Sequence, residues 1–302
     1  MEMKKYLESR LQHLGSIRKI QPIKREASNR SFFRLHLDKY TLMAMVYPEE
    51  NKEETERIAR LTTLYNEYGL KVPAIKEIID HRIILQQDLG KIRAQKAFSW
   101  LREGKREKAL EKIARITMQL SRIPLEHTAA VLDTARMKWE MDFFVSHFAG
   151  NYSSRRINLE ELRHQLHAMV ETIGPVNTFA HRDFHTRNML FYKDDIYLVD
   201  FQDSLRATAF YDPVSIAFDA YLDLKLLRPF FIDCLEKNGM IMDEEQFYLT
   251  ALQRNIKALG TFGYQVMVKK NLTYEKYINR TVGYVLENPL FDRFLNQELF
   301  DF

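Results

Sequence analysis

Two nearby segments carry the side chains best suited to chemistry. The first reads His181-Arg-Asp-Phe-His-Thr-Arg-Asn188 and the second reads Val199-Asp-Phe-Gln-Asp203. Asp183 can orient a hydroxyl group and accept its proton, while Asn188 and Asp200 offer the oxygen ligands that Mg²⁺ prefers. A base followed by an amide and a second carboxylate at this spacing is typical of phosphoryl transfer from a nucleotide. We therefore predict Asp183 as the catalytic residue and Asn188 and Asp200 as metal ligands.

The residues that join the two segments predict a β-hairpin. Two short apolar and aromatic runs, residues 189–192 and 196–201, are separated by three polar residues. If the runs pair from their inner ends, Asn188 lies opposite Asp200. Cross-strand Cβ atoms are about 4.5–5.5 Å apart, so this register would let both ligands bind one cation.

The two histidines of the first segment allow a competing interpretation as a zinc site. His181 and His185 are four residues apart, as in metalloprotease helices, but their flanks read as strands and Arg182 replaces the expected Glu. The pattern therefore disfavours zinc. We expect His181 to fix the loop by packing and hydrogen bonding, and His185 to orient the substrate or Asp183.

The composition excludes several classes of protein. With 302 residues and 46% hydrophobic content, the chain can form one or two domains. Its 45 Lys and Arg against 41 Asp and Glu give a net charge of +4, too small and too evenly spread for nucleic-acid binding. The single cysteine, Cys234, excludes a disulfide framework. No signal core or membrane-length apolar run occurs, so we expect a cytoplasmic monomer with no nucleic-acid or membrane partner.

Hydrophobic periodicity predicts an α+β class, with a small antiparallel sheet and one helix followed by mainly helical sequence. This order is similar to that of a bilobal, protein kinase-like fold, in which we expect residues 1–88 to form the nucleotide-binding lobe. Its strands are predicted at 31–37, 40–47, 72–79 and 82–86, and its helix at 49–69. Residues 89–302 form a mainly helical lobe with the catalytic loop and the acceptor site. Its helices are predicted at 105–122, 134–148, 159–173, 213–227 and 244–259.

These motifs resemble the aminoglycoside phosphotransferase (choline kinase-like) family. Within it they are most similar to bacterial kinases that phosphorylate N-acetylmuramate and N-acetylglucosamine at the anomeric hydroxyl, because Asp-Phe-Gln-Asp replaces the usual Asp-Phe-Gly. Similar segments also occur at residues 27–35, 87–90, 211–215 and 252–262. The resemblance implies an ATP-dependent small-molecule kinase that uses ATP and Mg²⁺, takes an amino sugar as acceptor and serves cell-wall recycling.

The resemblance also implies residues that bind the nucleotide or support the site. Ser28, Asn29 and Arg30 stand where other kinases carry a Gly-rich loop, and Gln87 lies at the hinge. Small polar residues still offer backbone N–H groups to phosphates. An exposed, solvated Arg30 is the alternative interpretation. Asp212 is expected to brace the backbone of the catalytic loop.

Two further residues are candidates for contact with the acceptor. Glu140 lies on a helix that the resemblance sets beside the acceptor pocket, and Arg187 lies within the catalytic loop. A solvated or salt-bridged Glu140 is the alternative.

One departure from the kinase pattern concerns phosphate charge. Met45 stands where the strand lysine would be. The negative charge of the phosphates must therefore be neutralised by magnesium, loop amides and Arg30 or Arg34. Because the strand lysine is absent, a second function remains possible: a catalytically weak, nucleotide-binding regulator of the pseudokinase type. An antibiotic, choline or other metabolite kinase also remains open, and a cationic acceptor would need a strongly acidic pocket.

Overall fold

The computed structural model describes residues 2–23, 30–152 and 157–296. The chain divides into two units. The first comprises Met1–Ile92 and Leu190–Gln202, and the second comprises Arg93–Met189 and Asp203–Phe302. Residues 190–202 thus group with the N-terminal residues although they follow half of the helical part in sequence. No helix within these described ranges is long and apolar enough to cross a membrane.

The first unit is built on an antiparallel sheet, as predicted. Within the described residues it has five strands, in the order β1-β2-β3-β5-β4. They are β1 (Ile17–Ile23), β2 (Ser31–Leu37), β3 (Thr41–Val46), β4 (Ile75–Ile79) and β5 (Ile83–Gln87). β1 was not predicted, since its apolar residues are interrupted by Arg18, Lys19 and Pro22. It lies at an edge, where a strand tolerates proline and charge.

Two α-helices belong to the described part of this unit. α1 (Glu2–Arg10) was not predicted; Leu7 joins one hydrophobic cluster with Leu35 and Ala44 of the sheet. α2 (Lys52–Glu67) lies within the predicted range 49–69. It begins where the Asn51 side chain accepts a hydrogen bond from the Glu54 backbone N–H at 3.1 Å, the usual N-cap arrangement.

The predicted hairpin forms, but its register differs from the prediction. Its strands are β7 (Met189–Tyr192) and β8 (Asp195–Leu198), joined by Lys193 and Asp194 at φ of +49° and +62°. Two positive φ values in a two-residue loop are typical of a type I′ turn, which matches strand twist. Tyr192 therefore faces Asp195 instead of Ile196, and its ring meets Tyr197 on the same face, with centroids 5.8 Å apart. The predicted alignment of Asn188 with Asp200 is wrong by one residue.

The second unit is mainly helical, as predicted. Its helices are α3 (Ala94–Phe98), α4 (Glu103–Leu120), α5 (Thr134–Phe144), α6 (Leu159–Glu171), α7 (Tyr211–Ala217), α8 (Arg228–Lys237), α9 (Glu244–Gly263), α10 (Glu275–Leu286) and α11 (Phe291–Phe294). Short strands β6 (Thr178–Ala180) and β9 (Leu205–Ala207) pair antiparallel beside the catalytic loop. Cys234 is buried on α8.

The predicted helix at 213–227 is wrong over most of its length. α7 ends at Ala217, and Phe218 has φ −123° and ψ 44°. The buried Asp219 carboxylate then accepts hydrogen bonds from the backbone N–H groups of Thr186 at 2.8 Å and Tyr221 at 2.7 Å. Because this carboxylate binds backbone amides, the chain turns after Ala217 instead of continuing a helix.

α9 closely approaches α5 and the π-helical segment that follows it, Val145–Ala149, because of two glycines. A Cβ on Gly260 would lie 2.8 Å from the Phe144 Cα, and one on Gly263 would lie 2.4 Å from the His147 carbonyl oxygen. Both distances are shorter than a carbon atom tolerates. This contact brings the polar face of α9 beside Glu140 on α5.

Candidate active site

The catalytic loop runs from β6 to β7 and its backbone is held by Asp212. The Asp212 carboxylate accepts hydrogen bonds from the backbone N–H groups of His181 at 2.6 Å and Arg182 at 3.2 Å. Arg182 has φ +76°, a conformation that few non-glycine residues adopt. Burial raises the pKa of Asp212 to about 7, and the two N–H donors oppose that rise. Asp212 thus supports the turn that presents Asp183.

Asp183 is half-buried and faces cationic side chains. Its Oδ1 lies 3.9 Å from the Lys257 Nζ. Burial alone would raise the pKa of the Asp183 carboxyl group, but the charges of Lys257 and Arg254 outweigh burial and hold the pKa well below its usual range. Asp183 is therefore ionised at neutral pH and can accept a hydrogen bond from a hydroxyl group.

Asn188 closes the loop from its other end. It lies in a single 3-10 turn, Thr186–Asn188, and its Nδ2 donates to the Asp183 carbonyl oxygen at 3.1 Å. With the amide nitrogen engaged, the Oδ1 atom is the one suited to a cation.

The two histidines of the loop have different surroundings. His181 is fully buried, with its ring 5.8 Å from that of Phe184. His185 meets Tyr221 edge to face, with centroids 4.7 Å apart. Burial lowers the pKa of His185 to about 3, although Asp183 opposes the shift. His185 is therefore neutral at physiological pH.

Arg187 lies among three tyrosine rings. Its guanidinium carbon is 4.6 Å from the ring centroid of Tyr221, 5.7 Å from that of Tyr274 and 5.9 Å from that of Tyr277. Cation–π contacts of this kind stabilise the charge of an arginine inside a protein. This arrangement explains how Arg187 anchors the loop, and its predicted contact with an acceptor stays a prediction.

A polar face of α9 contributes residues that the sequence prediction missed. Arg254 donates through Nε to the Ser215 Oγ at 3.2 Å. Burial and the neighbouring Arg254 charge lower the pKa of Lys257, which Asp183 partly opposes. Gln253, Arg254 and Lys257 lie in the central part of α9 among buried apolar residues such as Leu252, Ile256 and Leu259. Polar residues within such an apolar stretch are the signal that could have revealed them.

Glu140 is buried, which contradicts its interpretation as a solvated side chain. It is 2% exposed, and its Oε2 accepts a hydrogen bond from the Gln253 Nε2 at 2.9 Å. Its Oε1 has no hydrogen-bond partner among the described residues. Glu140 therefore keeps one buried acceptor available beside the cations of α9.

The first unit holds Asp200, the second predicted metal ligand in the chain. Asp200 is exposed and has φ +65°. Its Oδ1 accepts from the Arg30 Nη2 at 3.0 Å and from the Gln202 Nε2 at 2.9 Å. Gln202, which replaces the glycine of other kinases, thus orients the carboxylate.

Arg30 is 8% exposed, so its interpretation as a solvated turn residue is wrong. Arg34 is engaged elsewhere, because it donates to both oxygens of Asp88 at 2.6 and 3.0 Å and to the Gly90 carbonyl at 2.8 Å. Gln87 ends β5, where its backbone N–H donates to the Ala74 carbonyl at 2.8 Å. Ser28 and Asn29 lie outside the described residues.

The oxygen atoms of the predicted ligands suit Mg²⁺ better than a metal whose ligands must all come from the protein. Within the described ranges no group of three His, Cys, Asp or Glu side chains could hold a metal ion. Mg²⁺ commonly takes one or two protein oxygens and completes its shell with phosphates and water. Asn188 and Asp200 carry oxygens of this kind, and their binding of Mg²⁺ stays a prediction.

Comparison with known proteins agrees with this chemistry. Residues 19–232 match the sequence model of the phosphotransferase enzyme family, APH. No curated protein sequence matches the chain significantly.

Solved structures are similar over nearly the whole chain. The choline kinase LicA from Streptococcus pneumoniae has a TM-score of 0.68 and 11% identity, covering 95% of this chain and 99% of its own. The macrolide 2'-phosphotransferase MphH from Brachybacterium faecium has a TM-score of 0.62 and 12% identity, covering 92% and 98%. Spectinomycin phosphotransferase APH(9)-Ia in complex with ADP and spectinomycin has a TM-score of 0.63 and 14% identity, covering 99% and 96%. At these identities the likeness establishes the kinase-like fold.

Proposed function

Because the chain belongs to the phosphotransferase enzyme family, we propose that it transfers the γ-phosphoryl group of ATP to a sugar hydroxyl. The proposed acceptor is the anomeric hydroxyl of N-acetylmuramate or N-acetylglucosamine, in the recycling of cell-wall sugars. The motif Asp200-Phe-Gln-Asp203 and its neighbours support this branch of the family.

Three side chains carry the proposed reaction. Asp183 accepts a hydrogen bond from the acceptor hydroxyl and takes its proton as the new O–P bond forms and the bond to the leaving ADP oxygen breaks. Its depressed pKa suits a loose transition state, in which orientation of the hydroxyl matters more than early deprotonation. Asn188 and Asp200 would hold Mg²⁺, which when bound would neutralise charge on the phosphates.

The positive charge around Asp183 is the observation that supports the choice of acceptor. Lys257 lies 3.9 Å from the Asp183 carboxylate, and Arg254 adds a second positive charge from the same helix. Glu140 is a further acidic residue near these cations, and it is bonded to Gln253. A cationic acceptor would be repelled by Lys257 and Arg254, so a neutral or anionic sugar is favoured over choline or an aminoglycoside.

A direct assay tests this proposal. Purified protein is incubated with Mg·ATP and, separately, with N-acetylmuramate, N-acetylglucosamine, choline and an aminoglycoside, and products are identified by ³¹P NMR. We expect a sugar 1-phosphate. We also expect Asp183→Asn to lower kcat by about 10²–10⁴, the range for loss of a general base. Asp194→Asn is the matched control, because Asn tolerates the positive φ of this hairpin turn.

Two other functions would each give a distinct result. Phosphorylation of choline or an antibiotic, with no sugar product, would assign the chain to those branches of the family. Mg·ATP binding without turnover on any acceptor would support the nucleotide-binding regulator, for which Met45 at the position of the strand lysine is the motivating observation.

A further inference from the structure

The first unit lacks the lysine that most kinases use to bind phosphate. That lysine lies on the strand that corresponds to β3, and its ammonium contacts the nucleotide phosphates. Here β3 carries Met45, which is buried and uncharged. A nucleotide-binding site in this unit therefore needs its positive charge from another residue.

The register of the sheet brings Arg30 to that position. β2 and β3 pair so that Ser31 faces Val46 and Phe32 faces Met45. Arg30 directly precedes β2, so it shares a face with Phe32 and lies diagonal to Met45. Diagonal neighbours on one face are within reach of long side chains.

The contacts of Arg30 follow from this placement. Its Nη1 lies 3.8 Å from the Met45 Sδ, and its Nη2 donates to the Asp200 Oδ1 at 3.0 Å. The Met Sδ corresponds to the Lys Cδ in a side chain, and the lysine nitrogen is two bonds farther. The guanidinium group thus occupies the region that a lysine at residue 45 would reach.

We infer that Arg30 replaces the strand lysine as the phosphate-binding cation of this enzyme. This inference rests on the proposed use of ATP but not on the identity of the acceptor. In the nucleotide-free protein Arg30 pairs with Asp200. When Mg·ATP binds, Asp200 would become a ligand of the metal ion and Arg30 would donate hydrogen bonds to phosphate oxygens. A planar guanidinium group with several N–H donors is well suited to this role.

Nucleotide binding tests the inference without any acceptor. The Kd values of Mg·ATP and adenosine are measured by calorimetry for the wild type, Arg30→Gln and the double variant Arg30→Met/Met45→Lys. We expect Arg30→Gln to weaken Mg·ATP about 10–100-fold, the worth of a charge-assisted hydrogen bond, and to leave adenosine unchanged. The double variant should recover most of the lost affinity, since lysine then returns to the strand.

A matched control removes a different arginine from the same sheet. Arg18 on β1 has a 68% exposed side chain and pairs with Asp38 at 2.6 Å, so Arg18→Gln should bind Mg·ATP like the wild type.

Three results would overturn the inference. They are unchanged Mg·ATP affinity in Arg30→Gln, equal loss of Mg·ATP and adenosine binding, and no recovery in the double variant. If Arg30→Gln does not fold, the double variant decides alone: wild-type affinity supports the inference and weak binding contradicts it. A wild-type protein that binds no Mg·ATP overturns the proposed function as well, and this is seen before any variant is compared.

Discussion

At the scale of single residues, the charge of Asp183 depends on Lys257. The carboxylate is half-buried, which by itself raises its pKa, and Lys257 is the strongest of the opposing charges. A carboxylate ionised over a wide pH range stays ready to receive a hydroxyl proton. The neutral state of His185, whose pKa is about 3, prevents competition for that proton above pH 5.

This balance predicts the pH dependence of the reaction. In the wild type neither Asp183 nor His185 binds a proton between about pH 5 and 8, so kcat/KM should be flat there with respect to both groups. Lys257→Met removes the main charge that depresses the Asp183 pKa, so the acid limb should move to higher pH. On the acid limb its kcat should fall relative to that of Lys257→Arg, which keeps the charge, by about 10-fold for each unit by which the Asp183 pKa rises. Parallel pH profiles for the two variants would contradict this assignment.

Two side chains from the same unit orient the carboxylate of Asp200. Arg30 and Gln202 both donate to its Oδ1, so its carboxylate is oriented although the residue is exposed. This contact explains why glutamine follows the Asp-Phe pair here.

At the scale of elements, α9 both packs against neighbouring helical residues and carries two cationic side chains of the candidate site. Gly260 lies against α5 and Gly263 against the segment Val145–Ala149 that follows it, while Arg254 and Lys257 lie beside the catalytic loop. Because the loop itself is bonded to α7 through Asp212, the position of Asp183 depends on how these helices pack. A change in the α5–α9 contact is therefore expected to shift the position of the Asp183 carboxylate.

Gly263 tests this contact. A Cβ there would lie 2.4 Å from the His147 carbonyl oxygen, so we expect Gly263→Ala to destabilise the protein by about 1–3 kcal/mol or more. Gly283→Ala on α10 is the matched control, because nothing lies within 4 Å of the added atom. It should stabilise by about 0.5–1 kcal/mol, since alanine favours a helix over glycine. Urea unfolding measures both, and equal effects would show that the α5–α9 contact relaxes freely.

At the scale of the whole molecule, each unit contains some of the residues that the proposed reaction invokes. Asp183, Asn188 and Lys257 belong to the second unit, whereas Arg30 and Asp200 belong to the first. A ligand that binds only the folded chain stabilises it in proportion to its affinity and concentration.

Mg·ATP should therefore protect the protein against unfolding. At a free concentration of 100 times its Kd, the expected gain is about 2.7 kcal/mol, visible as a higher melting temperature. Removal of magnesium with EDTA should abolish most of the gain, because the proposed metal ligands would then lack the cation that neutralises phosphate charge. A melting temperature that does not respond to Mg·ATP would argue against nucleotide binding.

The sequence by itself determined the parts of the protein that rest on local patterns. The spacing of Asp183, Asn188 and Asp200 identified the chemistry, and alternating or helical periodicity identified β2, β3, β5 and α2. These features depend on residues close in the chain, so their signal is present in any short window.

Only the tertiary structure decided the contacts between distant residues. Arg30 and Asp200 are separated by 170 positions, and no local pattern joins them. The same holds for Lys257 beside Asp183 and for Asp219, whose bond to Thr186 ends α7 early. The hairpin register depended on Lys193 and Asp194 both adopting positive φ. In each case long-range packing or a backbone conformation selected one of several structures that the local sequence permits.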